Sequence, residues 1–127
     1  MEVSVTINTT LDNIAGMLCS ALEGGSNYWY VVDEFIEPPE LAEGLAKDWH
    51  DFRHITYPLS PGGALIILDK EDGMARYRFD LEAVRRGLLA MAEKEPRHFG
   101  DFIGNNGDAT TGDVFLQLCL FGEVRYG

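Results

Sequence analysis

Ala64-Leu65-Ile66-Ile67-Leu68-Asp69-Lys70-Glu71-Asp72-Gly73-Met74-Ala75-Arg76-Tyr77-Arg78-Phe79 is the stretch on which the fold turns. A short apolar run, a charged connection holding one glycine and a run rich in aromatic residues are the marks of two antiparallel strands joined by a tight loop. Ser60-Pro61-Gly62-Gly63 leads into it as a turn. Strand side chains two positions apart share a face, so Arg76 and Arg78 are expected to point the same way.

Working outward, Tyr28 to Phe35 combines aromatic and β-branched residues and is expected to form another strand, stopped by Pro38-Pro39. His54-Ile55-Thr56-Tyr57, ending at Pro58, is expected as a further one. Glu2 to Asn8 alternates polar and apolar residues in the manner of a half-buried strand, and Glu123 to Tyr126 would be a short last one.

Helices fill the intervals. Thr9 or Thr10 caps a segment whose apolar residues Leu11, Ile14, Ala15, Leu18 and Leu22 keep three- and four-residue steps, with Gly24-Gly25 as its stop. Asp80 caps a second, through Leu81, Val84, Leu88 and Met91, that ends before Pro96. A helical turn at Phe99 to Ile103 and a helix from about Thr111 to Phe121, stopped by Gly122, complete the set. From Pro39 to Phe52 the acidic chain is ambiguous: Pro39 could open a short helix through Leu41, Leu45 and Trp49, but Gly44 weakens that helix. Antiparallel strands with helices between them in this order predict an α+β fold, one domain over residues 1–127, with helices packed on one face of the sheet.

The 127 residues suffice for one core, and 46% of them are hydrophobic, far from a disordered composition. No apolar run reaches membrane-spanning length, and Met1-Glu2-Val3-Ser4 lacks the basic start of a signal peptide, so a cytoplasmic location is expected. Cys19 and Cys119 lie in apolar periodic segments and read as buried thiols. Twenty-one acidic residues face ten basic ones, for a net charge of -11, a field that repels nucleic acid and anionic membrane and attracts cationic surfaces.

The residues that carry chemistry form no complete constellation. His50-Asp51-Phe52-Arg53-His54 spaces two imidazoles like a helical zinc motif but offers Asp in place of Glu and no third ligand. Asp69, Glu71 and Asp72, and Asn105, Asn106, Asp108 and Asp113, are oxygen ligands without the alternate-position pattern of a calcium loop, and read as turn formers and caps. Glu23-Gly24-Gly25-Ser26-Asn27 follows a helix, whereas a phosphate-binding loop opens one. No metal, cofactor or catalytic residue is assigned.

The charge is concentrated. Asp33, Glu34, Glu37, Glu40, Glu43, Asp48 and Asp51 stand against Lys47 alone, so six of the eleven net negative charges fall between Asp33 and Asp51. Trp49 lies within this span and Phe52 and Tyr57 beside it. Acids that steer and aromatics that anchor suit docking onto an Arg/Lys-lined surface; a solvated loop is the other reading. Asp33, Glu34, Glu37, Glu40, Glu43, Asp48, Trp49 and Asp51 are the candidate binding residues.

Two blocks, Leu22-Glu23-Gly24-Gly25-Ser26-Asn27-Tyr28-Trp29 and Asp108-Ala109-Thr110-Thr111-Gly112-Asp113-Val114-Phe115-Leu116-Gln117 with Leu120-Phe121-Gly122-Glu123-Val124-Arg125-Tyr126-Gly127, cover about a fifth of the chain. On them the chain resembles a family of small phage- and prophage-borne proteins of unassigned function. Such mobile-element sets include anti-CRISPR proteins, several of them acidic domains that occupy the nucleic-acid channel of a Cas complex. The resemblance implies an inhibitor of a bacterial defence system in the host cytoplasm, whose partner is a protein with a basic, nucleic-acid-binding surface. It brings no catalytic residue. The alternative is a sequestering protein for a nucleotide-like ligand, enclosed by Arg76, Arg78, Tyr28, Trp29 and Tyr30. The oligomeric state stays open.

Overall fold

A computed structural model describes every residue from Met1 to Gly127. Three strands, β1 (Tyr30–Ile36), β2 (Ala64–Asp69) and β3 (Ala75–Phe79), form an antiparallel sheet in the order β1-β2-β3. Leu65 pairs with Phe79 and Phe35, and Ile67 with Tyr77 and Val32, so these residues face inward. Val31, Ile66, Leu68, Arg76 and Arg78 take the outer face by the same alternation. The helices are α1 (Leu11–Ser20), α2 (Arg53–Thr56), α3 (Leu81–Lys94), α4 (Pro96–Ile103) and α5 (Ala109–Phe121). The whole is an α+β domain, as its sequence pattern predicts.

Helix α5 is the axis of the molecule. Thr111 to Cys119 are buried without a break, which fits a helix apolar around most of its circumference and packed on by α1 and α3. Two glycines permit that approach. A Cβ on Gly112 would lie 2.7 Å from the Ala21 backbone nitrogen, and one on Gly87 would lie 2.1 Å from Cys119 Sγ. Asp108 caps α5 by accepting from Thr111 N at 3.0 Å, and Gly122 ends it in the left-handed region at φ 73°. Asp80 and Thr10 cap α3 and α1 in the same way, as their sequence positions suggested.

Four expected elements turn out differently. Glu2 to Asn8 forms no strand: β1 and β3 are the sheet's edges, and this arm pairs with neither. Alternation creates the capacity for a strand, but a ladder needs a neighbour. His54 to Tyr57 is helical, because one turn stacks Ile55 and Leu59, four apart, into the core, where both are fully buried. Glu123 to Tyr126 joins no sheet; Gln117 takes the place of a strand by accepting from Arg125 N at 2.7 Å and Tyr126 N at 2.9 Å and donating to Tyr126 O at 3.1 Å. The segment after Pro39 is a series of turns with a 3-10 turn at Lys47–Trp49 instead of a helix. Its backbone is held from outside, Ala42 N donating to Ser60 Oγ and Ala46 N to Asp12 Oδ1.

No helix is long and apolar enough to cross a membrane.

Candidate functional site

The acidic stretch is divided by the fold into two parts of different character. Its first two carboxylates belong to the sheet. The β1–β2 register shifts between Val32 and Glu34, a bulge that makes Asp33 the extra residue. Asp33 and Glu34 both reach Arg76, which ion-pairs with Asp33 and lies 3.7 Å from Glu34, across the outer face of β2. Arg78 pairs with Asp80 at 3.0 Å and Arg85 with Glu82 at 3.5 Å. The outer sheet face thereby keeps one carboxylate in excess, Asp33, Glu34 and Asp80 against Arg76 and Arg78, and its exposed pairs each contribute at most about 1 kcal/mol.

The second part, Glu37 to Asp51, keeps its charge. Glu37, Glu40, Glu43, Asp48 and Asp51 are exposed, and none lies within ion-pairing distance of a cation. The segment that carries them is seated on the body. Pro38 and Leu45 are buried, Gly44 packs on Leu11, and Trp49 rests half-buried against the core. Trp49 meets Phe52 edge-on at 6.4 Å, and Phe52 in turn meets His54 at 5.9 Å. Phe52 is 41% exposed, an aromatic surface at the end of the carboxylate row. Arg53, just beyond, stacks its guanidinium on the Phe35 ring at 4.0 Å. Pro39, Glu40, Leu41, Ala42, Glu43 and Pro61 line a shallow depression on this surface.

The anchors of the segment, Asp12 and Ser60, escaped sequence reasoning. Each lies far along the chain from the amide it accepts from, and no local pattern marks it.

The two blocks that stood out in sequence meet in space around a buried carboxylate. Asp113 Oδ1 accepts from Ser26 Oγ at 2.8 Å, Trp29 Nε1 at 2.7 Å and Gln117 Nε2 at 3.1 Å, and Oδ2 accepts from Tyr28 OH at 2.6 Å. Through Gln117 the network reaches the backbone of Arg125 and Tyr126, and Tyr126 OH donates to buried Asp69 at 2.7 Å. Burial and the bond to Asp113 push the Tyr28 phenol up to about 12, and the bond to Asp69 does the same for Tyr126. These residues therefore hold the core together. Trp29 is fully buried among Phe121 and Tyr126, while Arg76 and Arg78 stand on the opposite face of the sheet, so the aromatic and basic residues considered for a nucleotide pocket enclose no common space.

One further cluster joins a thiol, a carboxylate and an imidazole. Cys19 Sγ donates to Glu23 Oε2 at 2.5 Å, and His54 Nε2 lies 3.8 Å from the same oxygen, whereas His50 stays exposed. Burial and the Glu23 carboxylate push the thiol up to about 11, which keeps it protonated at neutral pH. Cys119 is fully buried, and that burial raises its thiol well above the ordinary value.

No family model, curated protein or solved structure matches the chain.

Proposed function

We propose that the chain acts by binding, presenting Glu37, Glu40, Glu43, Asp48 and Asp51 together with Phe52 and Trp49 to a basic, nucleic-acid-binding surface of a partner protein. The observation that carries this reading is the set of five exposed, unpaired carboxylates on a segment whose backbone is anchored by Asp12 and Ser60. An anchored segment loses little conformational freedom on docking, and carboxylates without intramolecular cations are available to intermolecular ones. Asp33 and Glu34, already paired with Arg76, play the lesser part.

In its most concrete form the protein is a phage-derived inhibitor of the anti-CRISPR kind, acting in the bacterial cytoplasm by placing carboxylates where a Cas complex would receive phosphates. The resemblance on the two sequence blocks supports this form, and the charge of -11 agrees with it.

The test is competition. The partner captured by the wild-type chain should be released by duplex DNA and by about 0.5 M salt, at which the Debye length is roughly 4 Å. E37K/E40K/E43K should fail to capture it. Retention of the partner by the triple variant, or binding indifferent to both salt and DNA, overturns the reading.

A further inference from the structure

The opening arm, Met1 to Thr9, makes no hydrogen bond or ion pair to the rest of the chain, yet carries the alternation of a strand. Val3, Val5 and Ile7 are 72%, 77% and 51% exposed, a degree unusual for three β-branched residues in one short segment. The arm borders an apolar groove of about 250 Å³, where Val5 and Ile7 face Leu88, Leu89, Phe99 and Ile103 of α3 and α4. Leu89 and Ile103 are themselves exposed, at 55% and 44%. Arm and groove wall thus form one continuous apolar patch beside a row of unpaired backbone groups, the combination that invites an added strand.

We propose that a second copy of this chain covers that patch, the two arms pairing as antiparallel strands about a two-fold axis at Val5. The charge distribution selects this occupant and this face. With a net charge of -11, two copies repel each other almost everywhere, and most strongly along Glu37 to Asp51. The arm carries Glu2 as its one charged side chain, and in the α3–α4 region Glu82, Glu93, Glu95 and Asp101 are matched by Arg85, Arg86, Lys94 and Arg97. It is the part of the surface that like molecules can bring together without an electrostatic penalty.

The register is self-complementary. Centred on Val5, antiparallel pairing sets Val3 opposite Ile7, Ser4 opposite Thr6 and Glu2 opposite Asn8, so apolar meets apolar, hydroxyl meets hydroxyl and no like charges oppose. A two-stranded ribbon alone is marginal in water, and Leu89 and Ile103 of both copies supply the apolar surface that backs it. The acidic segment takes no part, so this assembly and the binding function proposed above stand or fall separately.

Sedimentation equilibrium of the full chain across a wide concentration range is the direct measurement. A dimer of the 14.1 kDa chain is expected. V5K places two ammonium groups at the axis and should sediment as a monomer that still unfolds cooperatively, because the arm makes no hydrogen bond or ion pair within its own chain. L89K should weaken the dimer at least tenfold. V5C should form a disulfide-linked dimer on mild oxidation, since opposed Cβ atoms of an antiparallel pair lie about 4.5–5.5 Å apart and a small closure of the two-stranded ribbon brings them to the roughly 3.5–4.5 Å of a disulfide, while wild type should not. A wild-type chain that stays monomeric at the highest concentrations, a V5K variant that remains dimeric, or V5C that fails to cross-link overturns the proposal.

Discussion

Trp29 and Asp113, 84 positions apart in the chain, are joined by a 2.7 Å hydrogen bond from the indole Nε1 to the carboxylate Oδ1. Both residues are buried, and Ser26, Tyr28 and Gln117 donate to the same carboxylate. Asp113 projects from α5 into the turn that links α1 to β1, so one side chain fixes a helix, a loop and the start of a strand.

D113N keeps the volume but turns one oxygen into a donor that faces donors. The stranded groups are desolvated, and hydrogen bonds to a charged acceptor contribute about 1.5–3 kcal/mol each. A loss of about 3 kcal/mol is expected in urea unfolding, with a change in the emission of Trp29. Native-like stability of D113N would show that the network is dispensable.

The glycines of α1 and α3 make a paired experiment. Replacing a helical glycine by alanine gains up to about 1 kcal/mol from helix propensity. At Gly16 nothing lies within 4 Å of the new methyl group, so G16A should stabilise the protein. At Gly87 the methyl group would meet Cys119 Sγ at 2.1 Å and the Cys119 backbone at 3.0 Å. Overpacking there costs about 1–3 kcal/mol and outweighs the propensity gain, so G87A should lower the midpoint of thermal unfolding.

Alkaline pH should weaken the fold through its tyrosines. Tyr28, Tyr30 and Tyr126 are raised from the ordinary 10.0 to about 12, by burial first for Tyr28 and Tyr30 and by the bond to Asp69 first for Tyr126. The unfolded chain loses these protons near pH 10 and the folded chain retains them, so unfolding releases protons and stability falls as pH rises from about 10 to about 12. Below that window these phenols should give no slope. Unfolding free energy measured against pH, with the phenolate absorbance followed in parallel, checks both statements, and Y126F should flatten the decline.

Cys19 should label slowly. Its thiol, moved from 9.0 to about 11 by burial and by Glu23, carries about a hundredfold less thiolate at neutral pH than a thiol with the ordinary value. E23Q removes the carboxylate and should speed alkylation of the native protein several-fold, with Cys119 unreactive until the chain unfolds.

Reversing Glu37, Glu40 and Glu43 should not cost stability. The three are exposed and unpaired in a chain of net charge -11, so E37K/E40K/E43K should match or exceed wild type in thermal midpoint at low salt. The difference should shrink toward 1 M salt, where the Debye length is about 3 Å. A marked loss at every salt concentration would show these side chains to be structural.

Much of this molecule was legible along the chain. The β2–β3 hairpin, β1, the capped helices α1, α3 and α5 and the clustering of charge after Asp33 all follow from interactions that close within a few residues: alternation, helical spacing, caps and turn chemistry. The exceptions are those whose outcome depends on a remote partner. Glu2 to Asn8 has a strand's pattern and no strand beside it, Glu123 to Tyr126 is held by the Gln117 side chain, and His54 to Tyr57 becomes a helical turn because Ile55 and Leu59 both enter the core. The candidate binding residues divided in the same way. Their charges are a property of the sequence, but whether each is free was settled by whether a cation from another strand reaches it: Arg76 reaches Asp33 and Glu34, and none reaches Glu37, Glu40, Glu43, Asp48 or Asp51. Charge and periodicity are local quantities fixed by residue order, whereas pairing and burial depend on which distant groups the fold brings within a few ångströms.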